Sequence, residues 1–474
     1  MMRTTKIVAT LGPSSNTHEA IGKLFDAGVD VFRLNASHGT HEDHAARLKI
    51  VREISEQRAV YTGVLLDLQG PKIRLGTFEN GGCILSDGAE FVITTEKCTG
   101  NENKASTSYS EFARDVKSGD RVLLADGSVE LQVIASDEVA ARCKVVSGGW
   151  IGDRKGINLP GVQVSTPSLT RKDKEDLLFG LDAGVDFVAL SFVRKPSDVV
   201  RLRLYLEEKE KMIPIIAKIE KPEGWENLNE ILQESDGVMV ARGDLGVEMA
   251  LEQVPFIQKA IIERARQHGK FVITATQMLE TMIENSFPTR AEVSDIANAI
   301  CDGTDAVMLS AETSSGKHPV EAAKMMARIA AEAENSMRPG GYKDLPKRVN
   351  STIAEIIADA SYHAARTAGV AAIVVFTTSG SSARLIARYR PPTPIFAFTP
   401  SQDVARQLSL VYGVHPILAP QVLSTDEMLA QMDRVLLERG SLKMRDAVVM
   451  VAGQPIGRAG TTNLIKLHRI GESR

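Results

Sequence analysis

One short pattern recurs in the first two thirds of this 474-residue chain. Asp26-Ala27-Gly28-Val29-Asp30 precedes Val31-Phe32-Arg33-Leu34-Asn35, and Asp182-Ala183-Gly184-Val185-Asp186 precedes Phe187-Val188-Ala189-Leu190-Ser191. Asp302-Gly303-Thr304-Asp305 precedes Ala306-Val307-Met308-Leu309-Ser310 in the same way. Each time a helical pattern stops at a glycine suited to a left-handed cap, and an apolar strand begins. This is the αβ half of a βα unit. Near-continuous apolar strands alternating with helices predict a parallel sheet covered on its faces. Eight such strands are predicted, at 6–11, 29–34, 63–68, 187–192, 214–220, 237–241, 271–275 and 306–310. Eight is the number of a TIM (β/α)8 barrel, whose strand ends converge on the face that carries the active site.

The series breaks between the third and fourth strands. Residues 71–166 lack helical periodicity and read as short strands with turns, Asp126-Gly127 being a hairpin signal. A small all-β domain inserted over the active-site face, a natural lid, is the expectation. From about residue 338 the pattern changes again, with 353–367 helical and 371–376, 394–398 and 447–451 strand-like. The predicted organisation is barrel 1–70, lid 71–166, barrel 167–337 and a C-terminal α/β regulatory domain 338–474.

Two adjacent strands end in charge. Ile215-Ile216-Ala217-Lys218-Ile219-Glu220 and Val238-Met239-Val240-Ala241-Arg242-Gly243-Asp244 are apolar runs closing on ionisable residues. Alternate side chains of a strand share a face, so Lys218 is expected beside Glu220 and Arg242 beside Asp244. Two carboxylates with open coordination positions suit Mg²⁺ or Mn²⁺, and a neighbouring lysine suits phosphoryl or enolate charge. For one strand alone, a salt-bridged strand end is the more ordinary reading.

Net charge is −4 and the pI about 6.2, which leaves no basic footprint for nucleic acid. Cys83, Cys98, Cys143 and Cys301 form no C-x-x-C pair, which fits a reducing cytosol. The N-terminal residues lack a signal-peptide core, and no apolar run reaches the roughly 18 residues of a membrane span. A cytoplasmic protein is expected. His38, His41 and His44 read as a solvated face rather than a metal site.

The chain resembles the pyruvate kinases along nearly its whole length. The resemblance rests on Thr5-Lys6-Ile7-Val8-Ala9-Thr10-Leu11-Gly12-Pro13, Arg33-Leu34-Asn35-Ala36-Ser37-His38-Gly39, Lys155-Gly156-Ile157-Asn158-Leu159-Pro160-Gly161 and Ala241-Arg242-Gly243-Asp244-Leu245-Gly246-Val247-Glu248. Ala275-Thr276-Gln277-Met278-Leu279-Glu280 and Pro288-Thr289-Arg290-Ala291-Glu292 follow in the same order. It implies transfer of the phosphoryl group of phosphoenolpyruvate to ADP, giving pyruvate and ATP, in a homotetramer. By the family's pattern Glu220 and Asp244 are Mg²⁺ ligands, and Lys218 stabilises the transferring phosphoryl and the enolate. Arg33 contacts the substrate phosphate, Gly243 and Asp244 hold its carboxylate, and Thr276 positions the enolate. Asn35, His38, Arg74 and Lys155 match nucleotide positions, and Ser310 is a weaker candidate for a proton path.

Two segments carry further expectations. The family's K⁺ ligands match Asn35, Ser37, Asp67 and the backbone of Leu68, but Lys72 stands where potassium-requiring members usually carry glutamate. The ammonium of Lys72 is therefore expected to replace K⁺. In the C-terminal domain, Thr377-Thr378-Ser379-Gly380-Ser381-Ser382 matches the segment that binds a phosphorylated allosteric effector, with residues 453–460 as a candidate second wall.

Overall fold

The structure of the protein, a computed structural model, describes residues 3–337, 342, 345–346, 351–458 and 460–472. The eight predicted strands form a closed parallel barrel: Lys6–Thr10, Val31–Asn35, Gly63–Asp67, Phe187–Leu190, Ile215–Ile219, Gly237–Ala241, Phe271–Ala275 and Ala306–Leu309. Each pairs with its neighbours in sequence, and the last closes on the first through Lys6 opposite Ala306. The cap glycines of the recurring pattern do adopt left-handed backbone, with φ of +94° at Gly28, +85° at Gly184 and +99° at Gly303.

The aspartate that ends the pattern has a structural task. Asp30 Oδ2 accepts the N–H of Ile7 at 2.8 Å, Asp186 Oδ2 that of Val64 at 2.7 Å, and Asp305 Oδ2 that of Val272 at 3.0 Å. Asp236, ahead of the sixth strand, accepts from Ile215 at 2.9 Å. In each case a carboxylate before one strand receives the N–H at the start of the adjacent strand. Each is also paired with an arginine: Arg3, Arg52, Arg390 and Arg203 respectively. A buried carboxylate is tolerated when it is paired and hydrogen-bonded.

Apolar packing lies on both sides of the barrel wall. Inside are Val8, Val31, Leu65, Phe187, Ile216, Met239 and Met308, and Leu410 of the C-terminal domain packs with them. Outside, the other face of the strands meets the surrounding helices. Between the third and fourth strands lies a six-stranded sheet and a two-stranded ribbon with a core of their own. Its Arg121–Leu124 and Val129–Ser136 form the hairpin expected from Asp126-Gly127, with Leu124 opposite Val129. The insertion is not wholly β: Phe112–Asp115 makes one helical turn that buries Phe112 and Ala113. Four residues are too few to show helical periodicity.

The C-terminal domain is a five-stranded sheet with apolar cores on both faces. Ala372–Phe376, Ile395–Thr399 and Ala447–Gly453 match the predicted strands, and the helix Ile353–Ala368 matches too. Val414–Leu418 and Thr462–Arg469 join as edge strands, and the last pairs antiparallel. They are half-exposed, so they lack the continuous apolar run that marks the central strands. The expected boundary at residues 338–341 lies outside the described residues. No helix among the described residues is long and apolar enough to cross a membrane.

Asp305 accepts the most hydrogen bonds of the four aspartates. Arg390 reaches both of its oxygens at 2.9 Å, and Tyr412 N–H donates at 3.1 Å, so one carboxylate joins two barrel strands to the C-terminal domain. Asp305→Ala should lower stability by about 3–5 kcal/mol, because it strands a buried guanidinium. Urea denaturation followed by tryptophan fluorescence measures this. A loss below about 1 kcal/mol, the scale of an exposed ion pair, would refute the assignment.

Candidate active site

The C-terminal ends of the second to fifth barrel strands converge on one charge network. Arg33 Nε donates to Asp67 Oδ2 at 2.7 Å, and its Nη1 donates to Thr10 Oγ1 at 2.9 Å. Lys218 Nζ lies 3.3 Å from Asp67 Oδ1 and 2.8 Å from Glu220 Oε1. A third contact runs at 2.8 Å to Ser191 Oγ, which itself donates to the carbonyl of Leu68 at 2.7 Å. The remaining oxygen of Glu220 accepts the Phe192 N–H at 2.7 Å.

Burial alone would pull the Lys218 ammonium down, but Asp67 and Glu220 more than offset it and hold it above the ordinary lysine range. Burial works on Asp67 in the opposite sense, and the charges of Lys218 and Arg33 win, lowering it. Glu220 is raised, first by burial against the pull of Lys218 and then by the like charge of Asp244. Lys218 and Glu220 thus lie together as strand alternation implied, with Asp244 within electrostatic reach.

The alternation argument fails at the neighbouring strand. That strand stops at Ala241, and Arg242–Glu248 is helical, so Arg242 and Asp244 do not share a strand face. Arg242 turns away from the network. It donates to the carbonyls of Thr276 at 2.7 Å and Gln277 at 3.1 Å and pairs with Asp295. The apolar run ending in charge gave no sign of where strand becomes helix. Thr276 and Gln277 hold left-handed backbone, φ +65° and +52°, uncommon for side chains other than glycine. The Arg242 clamp holds that turn in place. Thr276 Oγ1 in turn accepts the Gly243 N–H at 2.8 Å and donates to Ala275 O at 2.6 Å.

Lid and barrel enclose a cleft of about 610 Å³, with Lys72, Gly156 and Asn158 on one side and Phe192, Asp244 and Glu248 on the other. Asn158 Nδ2 donates across it to Glu248 at 3.1 Å, and Lys221 pairs with Glu248 at 2.7 Å. Asp244 makes no side-chain hydrogen bond or ion pair among the described residues. Arg74 bridges to Gly156 and donates to the Arg154 carbonyl at 3.1 Å, so Arg74 and Lys155 lie side by side. Burial and then Lys72, Arg74 and Arg33 lower the His38 imidazole, which puts His38 on the same cationic side.

In the candidate K⁺ motif, Asn35 Oδ1 accepts the Ser37 N–H at 3.1 Å, Asp67 is engaged by Arg33 and Lys218, and the Leu68 carbonyl by Ser191. Lys72 is exposed. The expected solvated histidine face holds only in part. His41 pairs with Asp176 at 2.8 Å and stacks on Phe179, whereas His44 is buried. Among the described residues no group of three or more His, Cys, Asp or Glu is arranged around a metal position. Ser310 Oγ is buried without a partner.

A second cleft, of about 600 Å³, lies in the C-terminal domain. The structure brings Thr377, Thr378, Ser379, Ser381 and Ser382 onto it together with Gly453, Ile456, Gly457, Arg458 and Gly460 of the expected second wall. Gly380 N–H donates to Thr377 Oγ1 at 2.9 Å, and Ser382 Oγ shares a hydrogen with Thr462 Oγ1 at 2.5 Å.

Comparison with known proteins decides the family. Residues 2–323 match the family model for the pyruvate kinase barrel domain and residues 355–468 that for the pyruvate kinase alpha/beta domain. The chain belongs to the pyruvate kinase family. It is 48% identical to the pyruvate kinase of Mycobacterium intracellulare, over 100% of this chain and 99% of that one. Its identity to the pyruvate kinase of Geobacillus stearothermophilus is 46%, over 100% of this chain and 81% of the other. A solved pyruvate kinase structure from Cryptosporidium parvum superposes with a TM-score of 0.91 at 38% identity, covering 99% of this chain and 96% of its own. The chain is thus a phosphotransferase of glycolysis, passing the phosphoryl group of phosphoenolpyruvate to ADP.

Sequence reasoning passed over the linking roles of Ser191 and Arg242 in this pyruvate kinase. Ser191 had only its position after the fourth strand to mark it. Arg242 had a marked position but the wrong direction. Arg242→Lys should lower kcat by about 10²-fold while leaving KM for ADP nearly unchanged, because displacing a positioned group by an ångström costs that much. Steady-state kinetics test this, and an unchanged kcat would show that the Thr276 turn holds without the clamp.

Proposed function

We propose that Lys218, Arg33, Thr276, Glu220 and Asp244 carry the phosphoryl transfer. The observation that supports this most is the Lys218 ammonium, buried and charged between Asp67 and Glu220. Such a group is preorganised to stabilise charge developing on the phosphoryl oxygens and the enolate oxygen. Arg33 offers a guanidinium held by Asp67 and Thr10 to the substrate phosphate. Thr276 and the Gly243–Asp244 amides take the substrate carboxylate and position the enolate, the Gly243 N–H exchanging its present acceptor for the substrate.

The donor set fits Mg²⁺. Glu220 and Asp244 are two like charges near enough to raise Glu220, and Asp244 lines the cleft free of protein partners among the described residues. Mg²⁺ is held by one or two carboxylates and completed by substrate oxygens. When bound, it supplies Lewis-acid charge neutralisation to those oxygens. Asn35, His38, Arg74 and Lys155 line up as the nucleotide side, and closure of the lid brings Lys155 toward the phosphates.

Lys72 is proposed to replace K⁺. Lys72 lines the cleft with Asp244, and the Asn35, Asp67 and Leu68 oxygens of the K⁺ motif are already engaged within the protein. Turnover of phosphoenolpyruvate and ADP with Mg²⁺ should then proceed in potassium-free buffer, and Lys72→Glu should make it depend on K⁺. Strong activation of the unmodified enzyme by K⁺ would discard this part of the reading. Lys218→Met should lower kcat by about 10²–10³-fold, the loss typical of one transition-state donor.

The C-terminal cleft is proposed as the allosteric site, with Thr378, Ser379 and Ser381 hydroxyls around a phosphoryl group. Alanine at Thr378 and Ser379 should remove activation by a sugar phosphate and spare the basal rate. Unchanged activation would count against it. The working form is proposed to be a cytoplasmic homotetramer, supported by the exposed side chains of Leu251, Phe256 and Phe287, each more than 70% exposed. Light scattering should give about four times the chain mass of 51.4 kDa.

A further inference from the structure

The lid touches the barrel through one polar contact that has no part yet in the phosphoryl transfer. Ile157 and Asn158 form a short lid strand opposite Leu124 and Leu123. Ile157 is buried in the lid core, so strand alternation turns Asn158 to the other side, where it meets the barrel. Its Nδ2 donates to Glu248 Oε1 at 3.1 Å. Among the described residues this is the one side-chain hydrogen bond or ion pair between lid residues 72–163 and the barrel. Arg194 also holds the carbonyls of Val164 and Thr166, but these belong to the chain already returning to the barrel.

Glu248 is poorly suited to its own helix. It closes Arg242–Glu248, where the last carbonyls disfavour a carboxylate. It is buried, and its Oε2 has no partner. Oε1 carries both of its contacts, to Asn158 and to the Lys221 ammonium at 2.7 Å. Lys221 offsets the cost of burying the acid but gives no reason for its being there. What the two contacts join does give one. Asp244 lies one helical turn before Glu248, and both line the cleft between lid and barrel. Lys221 directly follows Glu220. Glu248 is thus connected to both carboxylates proposed to hold Mg²⁺. On the lid side, Lys155 precedes Asn158 in one pinned run. The Lys155 carbonyl accepts the Leu75 N–H at 2.8 Å, and the Ile157 N–H donates to the Ile73 carbonyl at 2.9 Å.

We propose that Asn158 and Glu248 are positioning residues that set where the lid docks, and with it where Lys155 stands relative to Asp244. The proposal rests on the reading of Lys155 as a nucleotide contact. The pair acts through Lys155 and Asp244 rather than on the substrates. A hydrogen bond to a charged acceptor is stronger than a neutral one, yet a single bond still breaks readily, so the lid can open for the nucleotide to enter and leave. Phosphoryl transfer depends on positioning, so a loosely docked lid loses rate as well as affinity for ADP. Phosphoenolpyruvate, held by Arg33, Lys218 and Thr276 of the barrel, does not depend on the docked lid for its contacts.

Steady-state kinetics of the full chain with Mg²⁺ test this. Asn158→Leu keeps the size of the side chain and removes the donor. It should raise KM for ADP by about tenfold, equivalent to about 1.4 kcal/mol, and lower kcat. KM for phosphoenolpyruvate and the melting temperature should not change, because Asn158 is half-exposed and remote from that substrate's contacts. Asn158→Asp combined with Glu248→Gln exchanges donor and acceptor and should recover most of the loss, which a packing role would not allow. Lys155→Met is the reference and should also raise KM for ADP. A normal KM for ADP in Asn158→Leu beside a raised one in Lys155→Met overturns the docking role alone. A normal KM for ADP in Lys155→Met overturns the nucleotide reading of Lys155, and this proposal with it. Equal losses for both substrates with a lowered melting temperature in Asn158→Leu would mark a structural role and overturn the proposal too. If the double variant does not fold, Asn158→Leu and Lys155→Met decide.

Discussion

Four carboxylates at the N-terminal end of the barrel, Asp186 and Asp305 buried and Asp30 and Asp236 half-buried, hold the rest of the structure in register. Asp30, Asp186, Asp236 and Asp305 each take the first free N–H of an adjacent strand, a donor with no ladder partner at the sheet's end. Each carboxylate needs a cation to be tolerated there, and each has an arginine. For Asp305 the arginine belongs to another domain. Closing the barrel and seating the C-terminal domain are therefore one interaction, reinforced where Leu410 packs into the barrel's own interior cluster.

The opposite end of the barrel spends its charges differently. At the base every carboxylate is matched by an arginine and a strand N–H. At the top, Lys218 serves two carboxylates, Glu220 faces Asp244, and Asp244 has no protein partner among the described residues. Left-handed backbone at Phe192, Thr276 and Gln277 gathers at the same end, held by side chains such as Arg242. Strain and unmatched charge persist only where surrounding structure overdetermines them, and such places are where substrates bind. The division follows the barrel's geometry, with stability at the base and chemistry where the strands end.

Much of this was legible in the chain itself. The eight strands could be read because a strand buried on both faces is apolar throughout, and a left-handed cap selects glycine. Lys218 and Glu220 could be paired because a two-residue period is fixed by strand geometry. Arg242 could not, since the period holds only as long as the strand does, and the switch to helix at residue 242 leaves no mark in an apolar run ending in charge. The edge strands Val414–Leu418 and Thr462–Arg469 escaped because half-exposed strands carry a mixed pattern. Phe112–Asp115 escaped because one turn has no period to detect.

The sequence by itself determined the alternation of strand and helix, the interruption by a β-rich insertion, and the residue types gathered at the strand ends. Those are properties of local backbone preference and of which faces must be apolar. Only the tertiary structure decided which charge meets which. That Asp305 is answered by Arg390, 85 positions later in the chain, and that Ser191 joins Lys218 to Leu68, depends on the closure of the barrel and the docking of a separate domain. Electrostatic partners are chosen by distance in space, and no local pattern in the chain encodes that distance.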